Sequence, residues 1–322
     1  MKKSILFTVL LSLLAVIAYA QKLEAPKRQG WNDWYGPLYG DVESVTITSY
    51  KLTEKLGKIV KDDIINKKWF YRFNQKGDVI EAAQYNSDGS LDCKYTYKYK
   101  YDLQGNRIEA AQYNSDGSLN WKCTYKYDSQ GNKVEGTEYT SDDTSDGFWD
   151  RKWLYKYDSQ GNQIEETKYH TFRLLERKLL YKYDSQGNKV EAAEYGLDSS
   201  VCWKWFYKYD SQGNMIERNF YNLNGSLYEK EFYKYDSQGN RIEEAQYNSD
   251  GSLNWKCTYK YDSQGNKVEE IEYTSDGSLF GKSFHKSLCK YDSHGNLIEC
   301  INYVGESMKP TLMIVLEIVY RK

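Results

Sequence analysis

Apolar and polar side chains alternate along most of this chain, and glycine interrupts the alternation at regular intervals. Leu253-Asn-Trp-Lys-Cys-Thr-Tyr-Lys-Tyr261 is representative: Leu253, Trp255, Cys257, Tyr259 and Tyr261 take every second position, with Asn, Lys, Thr and Lys between them. Successive side chains of a β-strand point to opposite faces, so a period of two predicts strands with one aromatic face and one charged face. Helix is expected to be nearly absent.

The interruptions form two families of turn. The first reads Asp102-Leu-Gln-Gly-Asn106, then Asp-Ser-Gln-Gly-Asn from Asp128, Asp158, Asp184, Asp210, Asp236 and Asp262, and Asp292-Ser-His-Gly-Asn296, with a degenerate copy at Asn74-Gln-Lys-Gly-Asp78. The glycines stand at 77, 105, 131, 161, 187, 213, 239, 265 and 295, so the spacings are 28, 26, 30, 26, 26, 26, 26 and 30. All are even. An odd insertion would turn a strand inside out, and even ones keep each tyrosine on its own face. The second turn reads Asn-Ser-Asp-Gly-Ser from Asn86, Asn114 and Asn248, and Asn222-Leu-Asn-Gly-Ser226. Both carry the signature of a type I turn followed by a left-handed glycine, the three-residue hairpin with a G1 bulge. The predicted architecture is therefore all-β, with tandem antiparallel β-hairpin repeats in one long curled meander sheet, either an open strip or an open or closed barrel. Some eighteen strands twisting at their usual rate must curl, split or close.

The turn geometry predicts a register. Tyr247 should face Leu253, Ala245 should face Trp255, and Glu244 should pair with Lys256. Ala245 and Tyr247 then lie on the aromatic face, with Glu244 and Gln246 on the charged one. The same register puts Ile164, Val190 and Ile216 opposite Leu180, Phe206 and Phe232 as an apolar stripe across the charged face. The aromatic face, expected inside, also carries Arg177, Glu229 and Glu231. Residues 21–68 read as an N-terminal segment and capping unit, 69–303 as the repeats, and 304–322 as a capping strand. Leu312 to Tyr320 is apolar at both parities, as a strand buried on two sides would be.

Residues 1–20 have Lys2 and Lys3, an apolar run from Ile5 to Ala18 and a small-x-small site at Ala18-Tyr19-Ala20, which reads as a secretory signal peptide. The mature chain has no other stretch long enough to span a bilayer, so a periplasmic, surface or secreted location is expected. Net charge is −2, which argues against nucleic acid as a partner. Aromatics make up 16% of the chain, too many for a disordered one. Of six cysteines, Cys289 and Cys300 flank one turn and are the pair placed to bond; the others read as small hydrophobes in strands.

The recurring Tyr-x-Tyr-Asp-x-x-Gly-Asn, followed by Val or Ile and a later Asp-Gly turn, resembles the YD repeats of the Rhs-type family over about residues 69–303. The resemblance implies a β-strip that spirals into a hollow shell on the outside of a bacterium, where such shells encapsulate a toxin or mediate cell-surface contact. The 26-residue unit is longer than that family's usual repeat.

No catalytic, cofactor-binding or metal-binding residue is assigned. The three histidines are scattered, and the serines sit in turns rather than in a nucleophile elbow. Turn aspartates two strands apart are about 9–10 Å from one another, too far to share a calcium ion with one ligand each. The expected function is a non-enzymatic scaffold binding a protein or glycan partner at the bacterial envelope. The alternatives are a structural or delivery shell of the Rhs kind and, more distantly, a secreted hydrolase. One repeat has an enlarged second turn, Tyr139 to Trp149. It is acidic through Asp142, Asp143 and Asp146 and ends in the adjacent aromatics Phe148 and Trp149. Neighbouring residues point to opposite faces of a strand, so these five residues are the candidate partner-binding site.

Overall fold

The computed structural model describes residues 38–55, 58–140, 151–170, 174–196, 200–273, 285–304 and 309–322. The leader expected at 1–20 lies outside them. The described residues form twenty strands and no helix. β1 (Val42–Lys55) and β2 (Lys58–Phe73) are the longest. The repeats follow as β3 (Val79–Tyr85), β4 (Leu91–Tyr101), β5 (Arg107–Tyr113), β6 (Leu119–Tyr127), β7 (Lys133–Thr140) and β8 (Arg151–Tyr157). Next come β9 (Gln163–His170), β10 (Leu174–Tyr183), β11 (Lys189–Tyr195), β12 (Val201–Tyr209), β13 (Met215–Asn222) and β14 (Leu227–Tyr235). β15 (Arg241–Asn248), β16 (Leu253–Tyr261), β17 (Lys267–Tyr273), β18 (His285–Tyr291), β19 (Leu297–Val304) and β20 (Lys309–Tyr320) complete the set. Each strand pairs antiparallel with its sequence neighbours, and β20 pairs with β1 from Val42↔Tyr320 to Lys51↔Leu312. The meander therefore closes into a twenty-stranded barrel, and closure removes the two exposed edges an open strip would carry.

The turns form as their residues dictate. All nine glycines of the first family have φ between +77° and +88°. At Asp102, the Gly105 N–H donates to the Asp102 carbonyl at 3.1 Å, and the Asp102 N–H donates to the Asn106 carbonyl at 2.9 Å. The Asp102 carboxylate accepts from the N–H groups of Gln104 and Asn106 and from the Asn106 side-chain amide. The same set recurs at Asp128, Asp158, Asp184, Asp210, Asp236 and Asp262.

The register departs from expectation by one residue. Tyr247 does face Leu253, but Gln246 faces Trp255 and Ala245 faces Lys256. The first turn shows the same shift: Tyr101 faces Arg107, yet Lys100 faces Glu109. A second bulge lies just past each G1 bulge, taking in Ile108 here and a Val or Ile at the matching position of all nine copies. Hence Glu244 and Gln246 stand on the aromatic face, while Ala245 and Tyr247 stand on the charged one. The expected stripe is corrected too: Leu180, Phe206 and Phe232 face Glu165, Glu191 and Glu217 rather than Ile164, Val190 and Ile216. The tyrosines of the Tyr-x-Tyr strands share one face, as Tyr97↔Gln112↔Trp121 and Tyr125↔Gly136↔Trp153 show. The placement of Arg177, Glu229 and Glu231 on that face also holds, because Glu229 and Glu231 share Gln246 and Arg177 reaches Glu166.

The bulge lets residues two apart serve opposite faces. Arg107 lies over the Tyr99 ring inside, while Glu109 bonds Lys100 and Lys122 outside, each at 2.9 Å. Glu81, Glu135, Glu165, Glu217, Glu243 and Glu269 likewise each bridge cations from two flanking strands. The lysines just before the Tyr-Asp pair, such as Lys126 and Lys260, are 71% exposed, which marks this as the outward face. Exposed pairs of this kind contribute a few tenths of a kcal/mol to about 1 kcal/mol each.

A tyrosine ties each repeat to the one before. The hydroxyl of Tyr127 donates to the carbonyl of Arg107 at the bulge, at 2.8 Å. Tyr157, Tyr183, Tyr209, Tyr235, Tyr261 and Tyr291 do the same to Lys133, Gln163, Lys189, Met215, Arg241 and Lys267. At the seam Tyr320 takes this place. Its hydroxyl donates to Asp292, accepts from Asn296, and its ring stacks on His294 at 4.4 Å. Asn296 also brackets the backbone of Tyr39, and Leu38, Val42, Val45, Ile47, Phe73 and Val79 form the fully buried core there. β20 is not buried on both faces as expected: Leu316 is 3% exposed inside, but Val319 is 51% exposed outside. β20 gains its neighbours through its two edges, so its outer face stays open.

Replacing Tyr127 with Phe should leave the Arg107 carbonyl short of a partner and lower unfolding stability by about 1–2 kcal/mol in urea titration. Acid should act through the carboxylates. In Glu269 the ammoniums of Lys260 and Lys286 outweigh partial burial and hold the pKa below 4.5. In Asp128 the Asn132 amide and the turn N–H groups hold it below 3.8. A depressed folded pKa adds stability that is present above the unfolded value and lost as pH falls through the folded one. The thermal midpoint should therefore stay level down to the ordinary carboxylate range and fall below it; a decline that begins near pH 7 would contradict this.

Candidate functional site

An up-and-down barrel sorts its connections onto two rims, and here the rims differ. One carries the nine Asp-x-x-Gly-Asn turns, each five residues between strands, with the start of β1 and the end of β20. The other carries the ten remaining connections, of which 86–90 and 114–118 are five residues and 223–226 and 249–252 are four among those wholly described. The enlarged turn expected to bind a partner falls in sequence between Thr140 of β7 and Arg151 of β8, two strand ends of the second rim. Asp142, Asp143, Asp146, Phe148 and Trp149 lie outside the described residues.

The second candidate surface is the inner face near the constant rim. The residue after each turn asparagine starts a strand and points inward, and five of these residues are cations: Arg107, Lys133, Lys189, Arg241 and Lys267. They stand over tyrosine rings. Lys133 is 4.8 Å from the Tyr155 ring centre, Lys189 is 4.1 Å from Tyr181, and Arg241 lies over both Tyr233 and Tyr259. Such contacts contribute about 0.5–2 kcal/mol according to burial. Three cations also meet carboxylates: Arg107 bonds Asp78, Arg241 reaches Glu244 at 3.0 Å, and Lys267 reaches Glu270 at 2.6 Å. Further along, Arg218, Tyr233 and Gln246 surround Glu231, whose side chain is 5% exposed.

Burial shapes the chemistry of this lining. It pushes the phenols of Tyr155 and Tyr181 up to about 12, with Glu166 adding to the effect. It pushes the thiols of Cys123 and Cys257 up to about 11, which keeps them protonated and poorly nucleophilic. It lowers Lys133 and Lys189. Cys289 and Cys300 face each other across β18 and β19 and are disulfide-bonded. Among the described residues no group of three or more His, Cys, Asp or Glu side chains is placed to hold a metal ion.

The sequence reading missed the cation ring. Its signal was available: the position after Gly-Asn is Lys or Arg in five copies, followed by Val or Ile and then Glu. A strict alternation would put that cation and that Glu on the same face, which hid the inward role.

The fold and its lining define a closed barrel of β-hairpin repeats with a charged exterior and a polar, tyrosine-rich interior. No family model matches the chain, and no curated protein matches it. Among solved structures it is similar to a TcdB2-TccC3-TEV structure at 12% identity and a TM-score of 0.41, over 82% of this chain. It spans about 15% of that protein's length. It is also similar to a porin-like protein from Bacteroides uniformis at 8% identity and a TM-score of 0.35, covering 86% of this chain and 96% of that one. A Tc holotoxin pore from Photorhabdus luminescens is similar at 9% identity and a TM-score of 0.22, over 76% of this chain and 19% of that one. At such scores the likeness is one of β-hairpin arrays and no more.

Spectrophotometric titration should show a class of tyrosines that ionises near about pH 12 in the folded protein. Because the folded pKa is raised, the associated stability is complete below pH 10 and is lost as pH rises toward 12. A single ionisation step near pH 10 would mean that the ring is open to solvent.

Proposed function

We propose that this protein is a non-enzymatic, exported scaffold that binds a protein or glycan partner at the bacterial envelope through its variable rim. The observation that carries this reading is the contrast between rims: the nine turns on one side are all five residues long, whereas on the other side the glycine spacings of 30 at 131–161 and 265–295, against 26 in five other intervals, place four extra residues between β7 and β8 and between β17 and β18. In repeat architectures, insertions collect on the face that is free to diversify, and that face is commonly the binding one. The outward Glu–Lys belt suits water rather than lipid, because each lysine facing a bilayer's midplane would cost about 2–4 kcal/mol. No helix among the described residues is long and apolar enough to cross a membrane.

Phe148→Ser with Trp149→Ser tests the reading. Binding of the mature protein to intact cells or to a glycan array should fall while the thermal midpoint holds. Unchanged binding would remove this loop as the site. The second reading, a shell of the Rhs kind, draws on the closure of β20 onto β1 around a polar interior. It expects a protease-protected cargo to copurify with the intact barrel.

A further inference from the structure

Lys133 and Lys189 differ from the other cations of the inner ring. Arg107, Arg241 and Lys267 each contact a carboxylate, and among the described residues neither of these two does. Glu166 is the carboxylate whose field they share, and it is engaged by Arg177 at 3.6 Å and by Gln163 at 3.4 Å. Three cations thus act on one carboxylate, and among them Arg177 makes the contact. The tyrosines differ in parallel. The hydroxyls of Tyr99, Tyr233 and Tyr259 donate to Val79, Glu231 and Glu244. Tyr155 and Tyr181, at the same position of their strands, have no such bond, and the Nε of Arg177 is buried without a partner. An unpaired, half-buried ammonium is costly, and burial lowers both lysines accordingly.

We propose that the inner arc from β7 to β11, built on Lys133, Tyr155, Arg177, Tyr181 and Lys189, binds an acidic oligosaccharide through its carboxylate or sulfate groups. The arc offers donors almost exclusively: two ammoniums, a guanidinium and two phenols. A sugar acid supplies charged acceptors together with ring and hydroxyl oxygens. An acidic peptide would also bring backbone N–H donors, and the arc's one carboxylate is already taken by Arg177 and Gln163. The site is separate from the variable rim and does not depend on the loop proposed there.

Titration calorimetry of the full mature protein tests this with four probes: hexagalacturonate, sulfated maltohexaose, neutral maltohexaose and hexaglutamate. At least one acidic sugar should bind, and the two acidic probes tell carboxylate from sulfate. Neutral maltohexaose should fail, and hexaglutamate should bind at least about tenfold more weakly. Lys133→Gln and Lys189→Gln should each weaken sugar binding about tenfold or more, since each removes a charge-assisted bond. Lys267→Gln, at the same ring position but paired with Glu270, should change it less than about twofold. The Phe148→Ser/Trp149→Ser protein should bind as the parent does. Thermal midpoints should hold in both lysine variants, because the desolvation relieved by removing a half-buried ammonium offsets the lost cation–π contact. Binding of no acidic sugar, equal binding of hexaglutamate, or an equal loss in Lys267→Gln overturns the proposal.

Discussion

A phenol hydroxyl closing on the carbonyl at a bulge is the contact on which this barrel depends. The bulge after each Gly-Asn turn interrupts the ladder, and the interruption is what lets Arg107 serve the interior while Glu109 serves the exterior. Without it, the inner cation ring and the outer Glu–Lys belt could not both exist. An interrupted ladder needs a substitute acceptor or donor in a half-buried wall. Tyr127 supplies it from the following repeat, and six further tyrosines do so in turn. The Tyr-Asp pair therefore joins two tasks: its aspartate holds its own turn, and its tyrosine reaches back to the previous one.

Much of this was legible from the residues. The glycine spacing gave the strands and both turns, and the left-handed glycines stand where the turn chemistry required them. Even spacing correctly kept Tyr97, Tyr125 and Trp121 on one face. It could not reveal the second bulge, because each repeat contains two such extra residues, one after each turn, and two odd shifts sum to an even one. The faces of Glu244 and Ala245 were consequently exchanged. The visible trace was Ile108 and its counterparts, β-branched residues at a fixed distance past every Gly-Asn. Closure was not legible, since it depends on how twist accumulates over the whole sheet; Tyr320-Arg321 in the Tyr-Asp position was its only mark.

The two rims divide the work that a repeat protein must do. Five-residue turns of one length fix the spacing of the wall: their aspartates are satisfied internally, and a tyrosine hydroxyl ties each to the repeat before it. On the opposite rim the turns from Asn86, Asn114 and Asn248 are closed internally as well, by Asp88, Asp116 and Asp250, but the spacing of the repeats varies there. The interior is graded in the same manner. Where a cation meets a carboxylate, as at Arg241 and Glu244, the lining is self-sufficient; where it does not, at Lys133 and Lys189, the lining is left with capacity for something else.

Closure through β20 and β1 also makes the girth of this molecule discrete. An antiparallel ring accepts only an even number of strands, and each repeat contributes two. A duplication or loss of one unit would change the circumference by about 10 Å and the diameter by about 3 Å while every remaining contact kept its geometry. A lineage carrying this sequence can thus enlarge or narrow its bore by unequal recombination between near-identical copies, one hairpin at a time, with no intermediate that exposes an unpaired edge.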